Sequence, residues 1–165
     1  MGVEEIEAFS SVVSVRLENA YEKPELRRIV NGGVHKVDVD LRDWTGRLLS
    51  ELRYELDRRG AIVYIPHESL DGTAAAPQPL SSRPTVRFDD TFRTLRVRVT
   101  EVSSLDSVSQ QAFHVSATVE SPDRSFTAGY SAGAEKRGFS DALLELKRRI
   151  VRDPDLEKWL TRSGG

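Results

Sequence analysis

A chain of 165 residues with 24 basic and 26 acidic side chains and no cysteine has the size of one domain, able to bury roughly 70% of the surface its unfolded form exposes. Apolar residues make up 38% and charged residues 30%, and the mean hydropathy is −0.43. No run approaches the roughly 20 apolar residues a spanning helix needs. The absence of cysteine excludes disulfide scaffolds, thiol catalysis and thiolate metal sites within this chain. A net charge of −2 supplies no overall attraction to nucleic acid or anionic lipid.

In chain order, Val13, Val15 and Leu17 alternate with Ser14, Arg16 and Glu18, the pattern of a half-buried strand. Residues 19–33, with Pro24, several charged pairs and Gly32-Gly33, read as a connection holding at most a helical turn. Val37, Val39 and Leu41 alternate with Lys36, Asp38 and Asp40, a short edge strand. The period then turns helical: Leu41, Trp44, Leu48, Leu52 and Leu56 share one stripe, widened by Leu49. Asp40 is the expected N-cap, Asp43 and Arg58-Arg59 complement the helix dipole, and Gly60 supplies the left-handed stop. Trp44, on that stripe, is expected between the helix and the sheet.

Residues 61–65 form an apolar run expected as a buried strand. Residues 66–84, with four prolines and the run Ala74-Ala75-Ala76-Pro77, are expected to be a mobile loop within the domain. Three alternating strands follow. Leu95, Val97 and Val99 oppose Arg96, Arg98 and Thr100; Phe113, Val115, Ala117 and Val119 oppose His114, Ser116, Thr118 and Glu120; Phe126, Ala128, Tyr130 and Ala132 form the third inward set. Ser121-Pro122-Asp123-Arg124 fits a turn joining the last two. Ser140 is the expected cap of a final helix with Leu143, Leu146 and Ile150 inward, and Phe139 is expected to staple onto Leu144. Asp153-Pro154 restarts a short helix. The pattern predicts an α+β fold, a two-layer sandwich with a largely antiparallel four- to five-stranded sheet and two main helices on one face (β-α-β-β-β-α), the whole of 1–165 forming one domain.

The chemistry is sparse. His35, His67 and His114 sit in separate neighbourhoods, so no catalytic or metal role is assigned to them. Asp38, Asp40 and Asp43 have cation-attracting spacing but lack the glycine and distal glutamate of a calcium loop, and strand-end and capping roles account for them. No nucleotide or nucleophile-elbow motif occurs. Catalytic residues, cofactors and metals are therefore not expected. Arginine outnumbers lysine 19 to 5. Arg96 and Arg98 fall on the polar sheet face, with Arg16 joining them if the first strand is adjacent, and His114 nearby. These four are the candidate anion- or partner-binding residues. Because Phe113, Phe126 and Tyr130 take the opposite phase, the face lacks the stacking platform of an RNA-binding sheet.

The strand of residues 11–17, the helix ending Glu55-Leu56-Asp57-Arg58-Arg59-Gly60-Ala61, the three later strands and the close Asp153-Pro154-Asp155-Leu156-Glu157-Lys158-Trp159-Leu160 together resemble small lipoproteins of the Gram-negative envelope. These comprise the lipopolysaccharide-assembly (LptE-like), YajG-like and ABC-transport auxiliary groups. The resemblance spans about residues 11–161 and is one of order and pattern. It implies a non-enzymatic periplasmic lipoprotein, more in keeping with the outer membrane, acting as a binding or assembly accessory in lipid or lipopolysaccharide transport. Its implied partners are an envelope protein or an anionic lipid or glycolipid, not nucleic acid. Met1-Gly2 is then expected to stand where a leader and lipidated cysteine have been removed. A native start at Met1 predicts a cytoplasmic protein instead. The alternatives are a cytosolic nucleic-acid-binding α/β module and a small enzyme without a recognisable motif.

Overall fold

The alternating segments pair into a mixed sheet, in a structure (a computed structural model) that describes residues 8–9, 13–31, 35–70, 92–106, 111–135 and 139–161. The strands are β1 (Ser14–Asn19), β2 (Leu26–Asn31), β3 (His35–Asp40), β4 (Ile62–Tyr64), β5 (Arg93–Asp106), β6 (Gln111–Glu120) and β7 (Thr127–Glu135). The helices are α1 (Leu41–Arg58), α2 (His67–Leu70), α3 (Phe139–Val151) and α4 (Pro154–Thr161). Five strands form one sheet in the order β4-β1-β5-β6-β7, and β2 with β3 makes a separate antiparallel hairpin. The fold is α+β, a sandwich-like arrangement of this sheet with the helices.

The strand pairing differs from the sequence expectation in two ways. First, the sheet is mixed rather than largely antiparallel. β1 runs parallel to both β4 and β5, while β5, β6 and β7 are antiparallel. The α1 crossover returns the chain to lay β4 parallel to β1, as a strand–helix–strand unit requires. Second, the connection after β1 contains β2, so β3 is half of a hairpin rather than an edge of the main sheet. β2 escapes periodicity analysis because Leu26 points to solvent and Arg27-Arg28 interrupts the alternation. Its cross-strand partner and its packing against β5 hold it in place.

The buried strand residues Val15, Leu17, Val63, Leu95, Val97, Val99, Val115, Ala117 and Val119 enter one core with Leu48, Leu49, Leu52 and Leu56 of α1 and Leu143, Leu146 and Ile150 of α3. Each such leucine or valine contributes about 1.5–3 kcal/mol on burial. α1 packs on β1, β4 and β5, α3 on β6 and β7, and the two helices on each other. β4 is an edge strand, not a fully buried one: Val63 is inward but Ile62 is 39% exposed.

α1 ends as the sequence implies. Asp40 accepts from the Arg42 N–H, and Gly60 adopts φ +92°. The Ala61 N–H reaches the Leu56 carbonyl and the Gly60 N–H the Asp57 carbonyl, closing a Schellman motif. Trp44, however, is only half-buried. It lies edge-on to Phe139 at 5.5 Å between centroids, with Arg47 at 5.3 Å. Thr45 takes the fully buried place one turn after Leu41, so the stripe is centred one residue further on than the tryptophan. Phe139 begins α3 and packs on Trp44 and Phe113 instead of Leu144, which is 37% exposed. Ser140 consequently lies inside the first turn rather than at the cap.

β5 outlasts β1, and side chains satisfy the backbone groups thereby left over. The Val99 N–H donates to the Thr45 hydroxyl at 2.9 Å, and the Tyr21 hydroxyl donates to the Val99 carbonyl at 2.7 Å. A bulge follows: Thr100 and Glu101 are both exposed between buried Val99 and Val102. Within the stretch expected to be a loop, residues 67–70 form α2, docked on α1 and β1. The Ser69 carbonyl accepts from Asn19 and the Glu68 carbonyl from Arg42. Residues 71–84 of that expected loop lie outside the described residues.

The turn between β6 and β7 forms as expected, with the Arg124 N–H bonded to the Ser121 carbonyl. The Asp123 carboxylate accepts from the Ser125 N–H and from the Ser125 and Ser121 hydroxyls, which pulls its pKa down to about 2. Because the folded value lies below the ordinary 3.8, the turn's carboxylate contribution is complete above that value and disappears as pH falls through about 2. A carboxyl NMR titration should place the Asp123 midpoint near that lower value, moving upward in Ser125→Ala. A midpoint at the ordinary value would contradict the hydrogen-bond pattern.

Candidate functional site

The side chains of opposite parity to the core form a polar sheet surface. Its composition follows from the register. Reading across the strands, one row holds Tyr64, Arg16 and Thr94, and the next holds Glu18, Arg96, Glu120 and Thr127. The third holds Arg98, Thr118 and Gly129. After the bulge come Glu101, Ser116 and Ser131, then Ser103, His114 and Gly133.

Arg16 and Arg96 are brought together by the β1–β5 pairing, as anticipated for an adjacent first strand. Glu18 stands between them: its carboxylate lies 2.7 Å from Arg16 Nε and 3.4 Å from Arg96 Nε. Arg16 also lies over the Tyr64 ring at 5.6 Å. Glu18 thus takes up much of the positive charge that the two arginines present in sequence.

Arg98 is placed differently. It is exposed, and no carboxylate of the described residues pairs with it. Its guanidinium carbon lies 5.2 Å from the centroid of the Tyr21 ring. That ring is held by its hydroxyl bond to Val99, by the Tyr21 N–H donating to Asn19 Oδ1 at 3.0 Å, and by Arg42 Nε donating to the Tyr21 carbonyl. Burial raises the Tyr21 pKa, with Arg98 and Arg27 opposing the shift and Glu25 reinforcing it. Tyr21 was not among the sequence candidates. The only signal was an aromatic two residues past a strand end.

His114 does not join the arginines. It lies four residues along β6 from Thr118, the partner of Arg98, a separation of about 13 Å at strand rise. Its Nε2 is 3.2 Å from the Ser116 hydroxyl, which is 2.9 Å from the Ser131 hydroxyl. This short chain of hydrogen bonds lies flat on the sheet, where ladder pairing already engages neighbouring backbone N–H groups.

The aspartates with cation-attracting spacing are occupied separately. Asp38 pairs with Arg28, Asp40 caps α1 and Asp43 pairs with Arg47. Among the described residues no group of three or more histidines or carboxylates is arranged to hold a metal, and no described helix is long and apolar enough to cross a membrane. His67 is exposed at the start of α2; the side chain of His35 lies outside what the structure describes.

Comparison with known proteins finds no matching family model, no matching curated protein and no matching solved structure.

Proposed function

We propose that this chain is the globular part of a non-enzymatic, lipid-anchored accessory protein of the Gram-negative cell envelope. It would bind a membrane component or an assembly partner during lipid or lipopolysaccharide transport. The observation that supports this reading is the two-sided character of the sheet: one parity of side chains is committed to the core, and the other presents arginines, glutamates, hydroxyls and glycines to solvent. In the finer form of the reading, α1 and α3 both lie on the core side, leaving the polar face open for docking. The envelope setting rests on the sequence resemblance to small envelope lipoproteins in order and pattern.

Expressed from its own locus, the protein should be recovered with outer-membrane vesicles. Arg96→Glu combined with Arg98→Glu should lower retention of the purified domain on lipopolysaccharide-containing vesicles while leaving its melting temperature unchanged. Recovery in the soluble cytoplasmic fraction, or retention indifferent to both charge reversals, would sink the reading.

A further inference from the structure

The three arginines of the polar face use their guanidinium groups in different ways. Arg16 and Arg96 direct N–H edges at the Glu18 carboxylate. Arg16 also lies over the Tyr64 ring, whereas the contact Arg98 makes is with the Tyr21 ring alone, its guanidinium carbon 5.2 Å from the centroid, and no carboxylate of the described residues pairs with it. Attraction to an aromatic ring holds a guanidinium in place without using up its N–H donors. A restrained guanidinium with open edges is suited to gripping two oxygens of a tetrahedral oxyanion at once.

The row across the sheet at Arg98 leaves room for an anion, although Glu120 and Glu101 stand in the rows on either side. The register row through Arg98 contains Thr118 and Gly129 but no carboxylate. A Cβ at Gly129 would meet nothing within 4 Å, so the sheet there is open. On the other side, β2 packs against β5 and brings Arg27, whose charge reaches Tyr21 but is outweighed there by the opposing charge of Glu25. Arg27 is itself paired to Glu25 at 3.0 Å and remains well exposed. Glu101, beyond the bulge, belongs to the next row.

We propose that Arg98, held over Tyr21, is the anchor of a phosphate-binding site on the open sheet face. The site rests on the reading of that face as a docking surface, and it is narrower: one arginine, not the general charge of the sheet, carries the contact. Phosphate chemistry is common to free phosphate and to a phospholipid headgroup, so the test uses both.

Inorganic phosphate titrated into the whole domain should produce saturable shifts of the Arg98 Nε–H resonance in NMR spectra, with smaller changes at Tyr21 and Thr118. Arg98→Gln should weaken phosphate binding about tenfold, whereas Arg96→Gln should change it less than about twofold, as expected when only one guanidinium makes the charge-assisted bonds. Tyr21→Phe keeps the ring and should keep the binding; Tyr21→Leu should lose much of it, and the Phe variant guards against mistaking unfolding for lost affinity. Sedimentation with phosphatidylcholine vesicles, with and without phosphatidylglycerol, then identifies the source. Association only with the anionic vesicles, lost in Arg98→Gln, assigns the headgroup; phosphate binding without vesicle association assigns free phosphate, keeping the site while removing support for the envelope reading. Equal losses from Arg96→Gln and Arg98→Gln would overturn the site yet leave the open face as a docking surface. No saturable shift at Arg98 would also overturn it.

Discussion

Alanine at Gly46 should destabilise the protein by about 2 kcal/mol, the ordinary cost of forcing a methyl group into a packed contact. Helix propensity alone predicts the opposite sign, because glycine inside a helix costs about 1 kcal/mol relative to alanine. The difference arises from α2. A Cβ at position 46 would stand 2.2 Å from the Leu70 carbonyl oxygen, a backbone atom that can retreat only if α2 moves off α1. Movement would break the Asn19 bond to the Ser69 carbonyl and the Arg42 bond to the Glu68 carbonyl. Urea denaturation should report the loss, and hydrogen exchange should show the Ser69 amide, bonded to the Pro66 carbonyl, opening faster. A variant as stable as the parent would mean that α2 contributes nothing to the fold.

A loss of about 3 kcal/mol is expected from Glu51→Gln combined with Glu55→Gln, as for other buried charges stripped of their partners. Lys147 projects from α3 into the contact with α1, and its ammonium lies 3.3 Å from each of these carboxylates. Its side chain is only 9% exposed, so solvent cannot replace them. The reverse experiment should behave differently. Lys147→Met leaves Glu51, 39% exposed, in contact with water and Glu55 still near Arg58; it should change stability by no more than about 1 kcal/mol. Denaturation midpoints of the two variants make the comparison. Equal effects, or a neutral double glutamine, would show that the ion pairs hold no buried charge in place.

α1 was legible in sequence because its boundaries are chemical: an aspartate that caps, a glycine that reverses, and leucines spaced for one face. The strand interiors from Leu95 to Ala132 were legible for the same reason, since alternation needs no knowledge of the partner strand. Thr45 was not, because its value lies in accepting from Val99, 54 residues away. The hairpin strand β2 was hidden by an outward leucine and paired arginines, and its existence depends on neighbours that periodicity cannot register. The same limit applied to the polar face. The outward direction of Arg96 and Arg98 follows from strand parity, but the neutralising position of Glu18 requires the parallel register with β5. The seat of Arg98 on Tyr21 requires knowing where the chain turns after β1.

The mixed pairing of the sheet also orders events in time. Among themselves, β5, β6, β7 and α3 follow one another closely in the chain and pack side by side, so their mutual contacts close only short loops and form early. β1 and α1 meet this half only across long stretches of chain: β1 sits inside the sheet, yet its partner Leu95 lies far along the chain from Leu17, and α1 packs on both β5 and α3. During synthesis from the N-terminus, β1 and α1 leave the ribosome well before β5 exists, with Val13, Val15 and Leu17 uncovered on one side. The nascent chain must therefore carry an incomplete apolar surface until the second half arrives, and it is in that interval, not in the finished fold, that it depends most on being kept from self-association.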